Sequence, residues 1–271
     1  MILLAKSFYG FTRNPFDKNS ISERDAFSSC DHRDALNRLT YLKNTRGIGV
    51  FTSAPGFGKT YAIRCFVKSL DSNLHDVAYL CLSTVSIFEF YRQLCYALGI
   101  DPPHGKPAMF KAIQDRLYHL LKEKKKPFVL ILDEAHELST AVLKDFKMLL
   151  NFDFDALNCF TLVLAGEPYL NHTLEKPVHE ALRQRIVVHY QFVGLSASET
   201  EEYLIHKLRL GGAAASILDP GVISAIAGYA RGCPRLIDNL MNKALMLGAQ
   251  LERPSLDTEI ILAAVNDLAL T

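Results

Sequence analysis

Gly58-Lys59-Thr60 and Asp133-Glu134 are the residues of this chain whose types and spacing point most directly to chemistry. The first group closes the run Val50-Phe-Thr-Ser-Ala-Pro-Gly-Phe-Gly-Lys-Thr60, an apolar stretch passing through a glycine-bearing turn into a helix. Backbone N–H groups of such a turn, and the helix N-terminus after it, converge on one anion. Ala54, Pro55, Gly56, Phe57, Gly58, Lys59, Thr60 and Tyr61 therefore read as a phosphate cradle. Lys59 would reach the β- and γ-phosphates as a point charge, and the Thr60 hydroxyl would coordinate Mg²⁺. The second group ends Pro127-Phe-Val-Leu-Ile-Leu-Asp-Glu-Ala-His136, a buried strand with two carboxylates at the edge where ligands of open α/β sheets bind. Asp133 would hold Mg²⁺ and Glu134 would polarise water. A chance Gly-Lys-Thr in an ordinary turn is the competing reading; the strand before it, the helix after it and the second strand argue against that. One position departs from the phosphate-loop pattern: Ser53 stands where it opens with Gly, so the loop's first turn falls to a residue that resists positive φ.

The elements needed to hold these groups alternate strand and helix, then become helical only. After a loop-like start, Asp31 is expected to cap a helix through Tyr41, with Ala35, Leu36, Leu39 and Leu42 at helical spacing. Strands are expected at 49–53, 77–82, 128–133, 159–165 and 186–192. Helices are expected from Lys59 to about Leu70, Ser86 to about Leu98, Pro107 to Lys125 and Ser139 to Leu150. From Ser196 every long segment has helical period, and Ser196 with Glu199 is spaced as a capping box. The expected architecture is α/β: a parallel sheet sandwiched by helices over 1–194, and a small all-helical lid over 195–271.

Composition suits a cored protein, with 49% apolar residues and a formal net charge of +1 in 271 residues. Global charge announces no nucleic-acid partner, although a local basic stripe remains open. The six cysteines form no Cys-x-x-Cys pair and read as small buried hydrophobes in a reducing compartment. Met1-Ile-Leu-Leu-Ala is too short for a signal-peptide core and no apolar stretch reaches spanning length, so no membrane association and a cytoplasmic location are expected.

Three further residues bear on the phosphate site. Glu167, in Ala-Gly-Glu-Pro at a strand tip, would sense the γ-phosphate or orient water; a plain turn residue is an equal reading. Arg185, with Arg183 in reserve, precedes the last strand, where a guanidinium could stabilise charge on a transferring phosphoryl group. At a sheet edge it would more naturally serve a neighbouring subunit's nucleotide than its own, and a surface salt bridge is the alternative. Arg235, in Gly232-Cys-Pro-Arg235 at a helix start, would bind nucleotide phosphates and couple the lid to ATP state, or else face solvent.

Together, Gly58-Lys59-Thr60, Asp133-Glu134, Arg-Gln-Arg before the last strand and Gly-x-Pro-Arg in the helical region resemble an AAA+ P-loop ATPase. The run Phe8-Tyr-Gly-Phe-Thr-Arg-Asn-Pro-Phe16 and His32-Arg-Asp-Ala-Leu-Asn-Arg-Leu39 are similar to the ExeA-like branch, over almost the whole chain. Ser53 departs from that branch, and Glu167 stands where Gln or Asn is commoner. The resemblance implies ATP and Mg²⁺ as cofactors, an N-terminal segment bordering the adenine pocket, Arg185 acting across a subunit interface and Arg235 as the lid sensor. Members divide between secretion-apparatus assembly and transposition helpers of the MuB and TnsC type; secretion members usually continue into a membrane span, whereas this chain ends after its helices. The expectation is therefore a slow, assembly-dependent ATPase that forms a ring or filament on duplex DNA without sequence preference and recruits a transposase, hydrolysis dissolving the complex. Lys144, Lys147, the run 122–126 and Arg116 are candidate backbone contacts, with ordinary surface residues as the alternative. Rival readings are a secretion or envelope-assembly ATPase and a nucleotide-gated signalling switch.

Overall fold

The computed structural model of the protein describes residues 2–17, 22–81, 86–153 and 157–269. The chain divides into two compact units: residues 1–33, 56–58 and 193–271, and residues 34–55 and 59–192. It opens with a helix, α1 (Ile2–Phe8), where the sequence suggested loop. Seven residues are too few to display a helical period, and α1 packs on a longer helix of its own unit. The next helix, α2 (Cys30–Thr45), is capped by Ser29, whose hydroxyl accepts the His32 N–H at 3.1 Å. Asp31, the expected cap, instead lies in the first turn, where its Oδ2 accepts the Val193 and Gly194 N–H groups at 2.9 and 2.7 Å.

The second unit is built on five parallel strands. Ile48–Thr52 (β1), Phe128–Asp133 (β3) and Phe160–Gly166 (β4) are buried at every position, as unbroken apolar runs in a parallel sheet covered on both faces should be. Asp76–Cys81 (β2) and Ile186–Gln191 (β5) mix buried and open positions and form the edges of the order β2-β3-β4-β1-β5. All four pairings are parallel. Helical crossovers are therefore required, and they are α3 (Lys59–Ser69), α4 (Ile87–Ala97), α5 (Lys106–Lys122), α6 (Thr140–Leu149), α7 (Tyr169–Glu175) and the short α8 (Glu180–Arg183). Leu82, the expected end of β2, lies outside the described residues. Neither α7 nor α8 was foreseen, again because short helices carry no periodic signal. Ser86 and Ser139 cap α4 and α6 through the Glu89 and Val142 N–H groups. Phe90 meets Tyr91 and Phe146 edge to face at 5.8 and 5.4 Å, each ring contributing roughly 1.5–3 kcal/mol through burial.

In the first unit α9 (Ala197–Gly211), α10 (Val222–Ala230), α11 (Pro234–Gln250) and α12 (Thr258–Ala269) enclose their own core around Leu204, Leu208, Ile226, Ile237, Leu240 and Ile261. Ser196 and Glu199 form the expected capping box. Residues 1–33 share this unit, and Phe11 and Phe16 are buried in its core. The cysteines divide: Cys95, Cys159 and Cys233 are buried, Cys65 is half-buried, and Cys30 and Cys81 are exposed. Cys30 begins a helix and Cys81 ends an edge strand, positions that no core covers. Among the described residues no helix is long and apolar enough to cross a membrane.

Candidate functional site

The β3 strand delivers Asp133 to the end of the sheet with its carboxylate fully engaged. Oδ1 accepts the Glu134 N–H at 3.0 Å and lies 3.8 Å from Lys59 Nζ. Oδ2 accepts the Thr60 hydroxyl at 3.0 Å and the Tyr79 hydroxyl at 2.7 Å. Thus the lysine and threonine that open α3 converge on the aspartate seventy-three residues after Thr60. Tyr79 was missed. Its reach depends on the β2–β3 register, which pairs Cys81 with Asp133, and nothing in an edge strand's composition discloses a register. Burial pushes the Tyr79 phenol above its ordinary value, and the hydrogen bond to Asp133 adds to that.

Between β1 and α3 the chain turns through left-handed backbone at Gly56 and Gly58, φ 88° and 93°. Ser53 is not among the described non-glycine residues at positive φ, so the strain expected at the loop's first position is absent. It continues the line of β1 instead, with its N–H donating to Gly166 O at 3.1 Å. The sharp turns fall on the two glycines, which adopt this conformation without steric cost. Ala54 and Pro55 are exposed, Gly56, Phe57 and Gly58 half-buried, Lys59 buried and Thr60 exposed, and Tyr61 lies 5.0 Å beneath the Arg64 guanidinium. Gly56 O accepts the Arg235 N–H at 3.3 Å at the start of α11. A nucleoside triphosphate fits these residues. Two left-handed glycines precede an eleven-residue helix, whose first-turn N–H groups have no acceptor within the helix, and Thr60 Oγ1 and Asp133 Oδ2, 3.0 Å apart, are the hard oxygen donors that Mg²⁺ takes.

Glu134 sits in the left-handed region, φ 54° and ψ 35°, a conformation costing a non-glycine residue about 1–3 kcal/mol and typical of sites that must aim a side chain. One oxygen or nitrogen from each of Glu134, His136 and Glu167 lies within 4.8 Å of the others, so the structure brings Glu167 near Glu134. His136 was quoted within the motif but given no part. Arg183 donates to Glu175 O at 2.9 Å, and Arg185 is half-buried with its N–H on Leu182 O at 3.0 Å.

Residues 42–174 match the family model described as an AAA domain. Solved structures agree in fold. Cdc6p from Pyrobaculum aerophilum superposes with a TM-score of 0.68 at 17% identity, over 97% of this chain and 70% of that one. The Aeropyrum pernix ORC1 protein in complex with DNA gives 0.66 at 16% identity, over 95% and 70%. The RuvB branch migration motor of Thermotoga maritima gives 0.54 at 16% identity, over 87% and 69%. The fold is the AAA+ P-loop fold. In sequence the chain is similar to general secretion pathway protein A of Aeromonas hydrophila, 29% identical over 242 residues, which is 88% of this chain and 44% of that protein. The chain thus spans less than half the length of this curated relative.

Two of the suggested basic contacts are occupied within the fold. Arg116 donates to Leu98 O at 3.3 Å, and Lys126 pairs with Asp76 at 2.6 Å. Lys144 and Lys147 remain exposed on α6, as do Lys124 and Lys125 beyond α5.

Proposed function

We propose that the protein is an ATP-dependent AAA+ ATPase that assembles as a ring or filament on duplex DNA and, in that state, engages a transposase. The observation that carries the ATPase part is the convergence of Lys59 and Thr60 on Asp133 behind the two left-handed glycines. Bound ATP with Mg²⁺ supplies the phosphoanhydride bond to be cleaved. The chain's own groups divide the work: Lys59 neutralises phosphate charge, Thr60 and Asp133 hold the cation, and Glu134 orients the attacking water with Glu167 beside it. Arg235, next to Gly56, senses the phosphates. Arg185, with Arg183 in reserve, is the arginine that acts on a neighbouring copy's nucleotide. The DNA part is supported by fold kinship with an ORC1 protein described in complex with DNA, and by the exposed Lys144 and Lys147 as phosphate contacts that read no sequence. Cytoplasmic action belongs to the same reading.

The test is co-sedimentation with duplex DNA of unrelated sequences, with and without a non-hydrolysable ATP analogue. Analogue-dependent, salt-sensitive and sequence-tolerant binding by an oligomer is expected. A protein that stays monomeric and ignores DNA would contradict the proposal. A second reading, an envelope-assembly ATPase, is favoured by the 29% identity to general secretion pathway protein A. It predicts co-purification with inner-membrane proteins and indifference to DNA.

A further inference from the structure

We propose that His136 is a positioning residue that locks the tips of β3 and β4 together and so fixes where Glu134 and Glu167 hold the attacking water. The inference rests on the ATPase reading above. His136 stands in the short 3-10 turn Ala135–Glu137 that follows the left-handed Glu134, and its side chain is only 13% exposed. Its Nδ1 accepts the backbone N–H of Glu167 at 3.3 Å, a link across thirty-one residues between the ends of two neighbouring strands. Gly166 makes the approach possible: a Cβ there would stand 3.1 Å from His136 N and 3.3 Å from its Nδ1. Any side chain at 166 would press the two tips apart.

Because Nδ1 accepts, a neutral imidazole carries its proton on Nε2, and Glu137 Oε1 lies 3.4 Å from that atom. In this tautomer the one Nδ1 lone pair is taken by the Glu167 N–H, and Nδ1 offers no proton to Glu134 Oε2, 3.5 Å away. The Glu134 carboxylate therefore keeps its acceptor capacity for water. One ligand atom from each of the three side chains lies within 4.8 Å of the others, close enough for one water molecule to bridge them. His136 thus acts through its neighbours: Glu137 sets the tautomer, the tautomer holds the Glu167 backbone, and that hold fixes the spacing between Glu167 and Glu134.

Three variants and one spectrum test this. His136→Asn keeps an acceptor near the δ position, His136→Gln moves it one bond outward, and His136→Ala removes it. With ATP and duplex DNA, kcat is expected to fall about 100-fold in the Gln and Ala variants, the cost of an ångström-scale misplacement. KM for ATP should stay within about twofold, and the Asn variant should recover most of the rate. Equal loss in all three, or a KM effect with kcat intact, would overturn the proposal. The imidazole nitrogen NMR spectrum of the unaltered protein decides the linkage independently of turnover: the Nε2–H tautomer supports it and the Nδ1–H tautomer overturns it. Failure of the unaltered protein to hydrolyse ATP would remove the ATPase reading, while the spectrum still decides the link between His136 and Glu167.

Discussion

Asp133 in the sheet unit and Asp238 in the helical unit hold the same two kinds of partner, one lysine and one tyrosine. Tyr79 and Tyr203 donate to their aspartates at 2.7 and 2.8 Å. The lysines differ. Lys207 closes on Asp238 at 3.1 Å and lies over the rings of Tyr203 and Phe16 at 5.1 and 5.7 Å, so its charge is spent inside a core. Burial lowers the Lys207 pKa and raises that of Asp238, each partner partly opposing the effect on the other. Lys59 stands 3.8 Å from Asp133, beyond hydrogen-bond range, and the hydroxyl of Thr60, an exposed residue, occupies the same carboxylate. One cluster is finished within the fold; the other leaves its lysine and threonine able to turn to a ligand. Identical residue types become an anchor or a site according to what the surrounding elements leave open.

The sharpest way to break this comparison is to alter each aspartate. Asp133→Asn is expected to cut ATP turnover by about 10³-fold, the scale for losing a preorganised charge at a phosphoryl site, with the melting profile little changed. Asp238→Ala should do the reverse, costing roughly 3–5 kcal/mol in urea unfolding because Lys207 is left buried and unpaired, with turnover per folded molecule retained. Replacing the helical cluster whole, as Lys207→Met, Asp238→Leu and Tyr203→Phe together, should restore stability to the starting value or raise it by about 1–4 kcal/mol. If the triple variant is as unstable as Asp238→Ala, the cluster is more than a buried ion pair. Smallest is Tyr79→Phe, expected to cost about 1 kcal/mol of stability through one lost hydrogen bond. A far larger turnover loss than stability loss would place Tyr79 in the chemistry.

The parts legible in the sequence were those where one physical demand governs many residues. β1, β3 and β4 are buried on both faces, and that demand writes an apolar run no loop would carry. Lys59, Thr60 and Asp133 were visible because a glycine turn running into Lys-Thr and an apolar strand ending in Asp-Glu are restricted patterns of residue type. What escaped depends on single distances. Tyr79 meets Asp133 through strand register, and His136 meets Glu167 because Gly166 lets two strand tips approach. Ser53 misled for the opposite reason: the motif's first glycine suggested a left-handed turn that the backbone places at Gly56 and Gly58. Ser29 caps α2 where Asp31 was favoured, since both types suit a cap and two residues decide which hydroxyl or carboxylate is nearest the open N–H groups.

The central claim, nucleotide-gated assembly on DNA, is tested most directly by sedimenting Glu134→Gln with duplex DNA in the presence of ATP. The account predicts a large, DNA-bound oligomer that persists for as long as ATP remains, while the unaltered protein assembles and then disperses as ATP is consumed. A Glu134→Gln protein that sediments as a monomer with ATP and DNA present, or that turns over ATP at the unaltered rate, would contradict it.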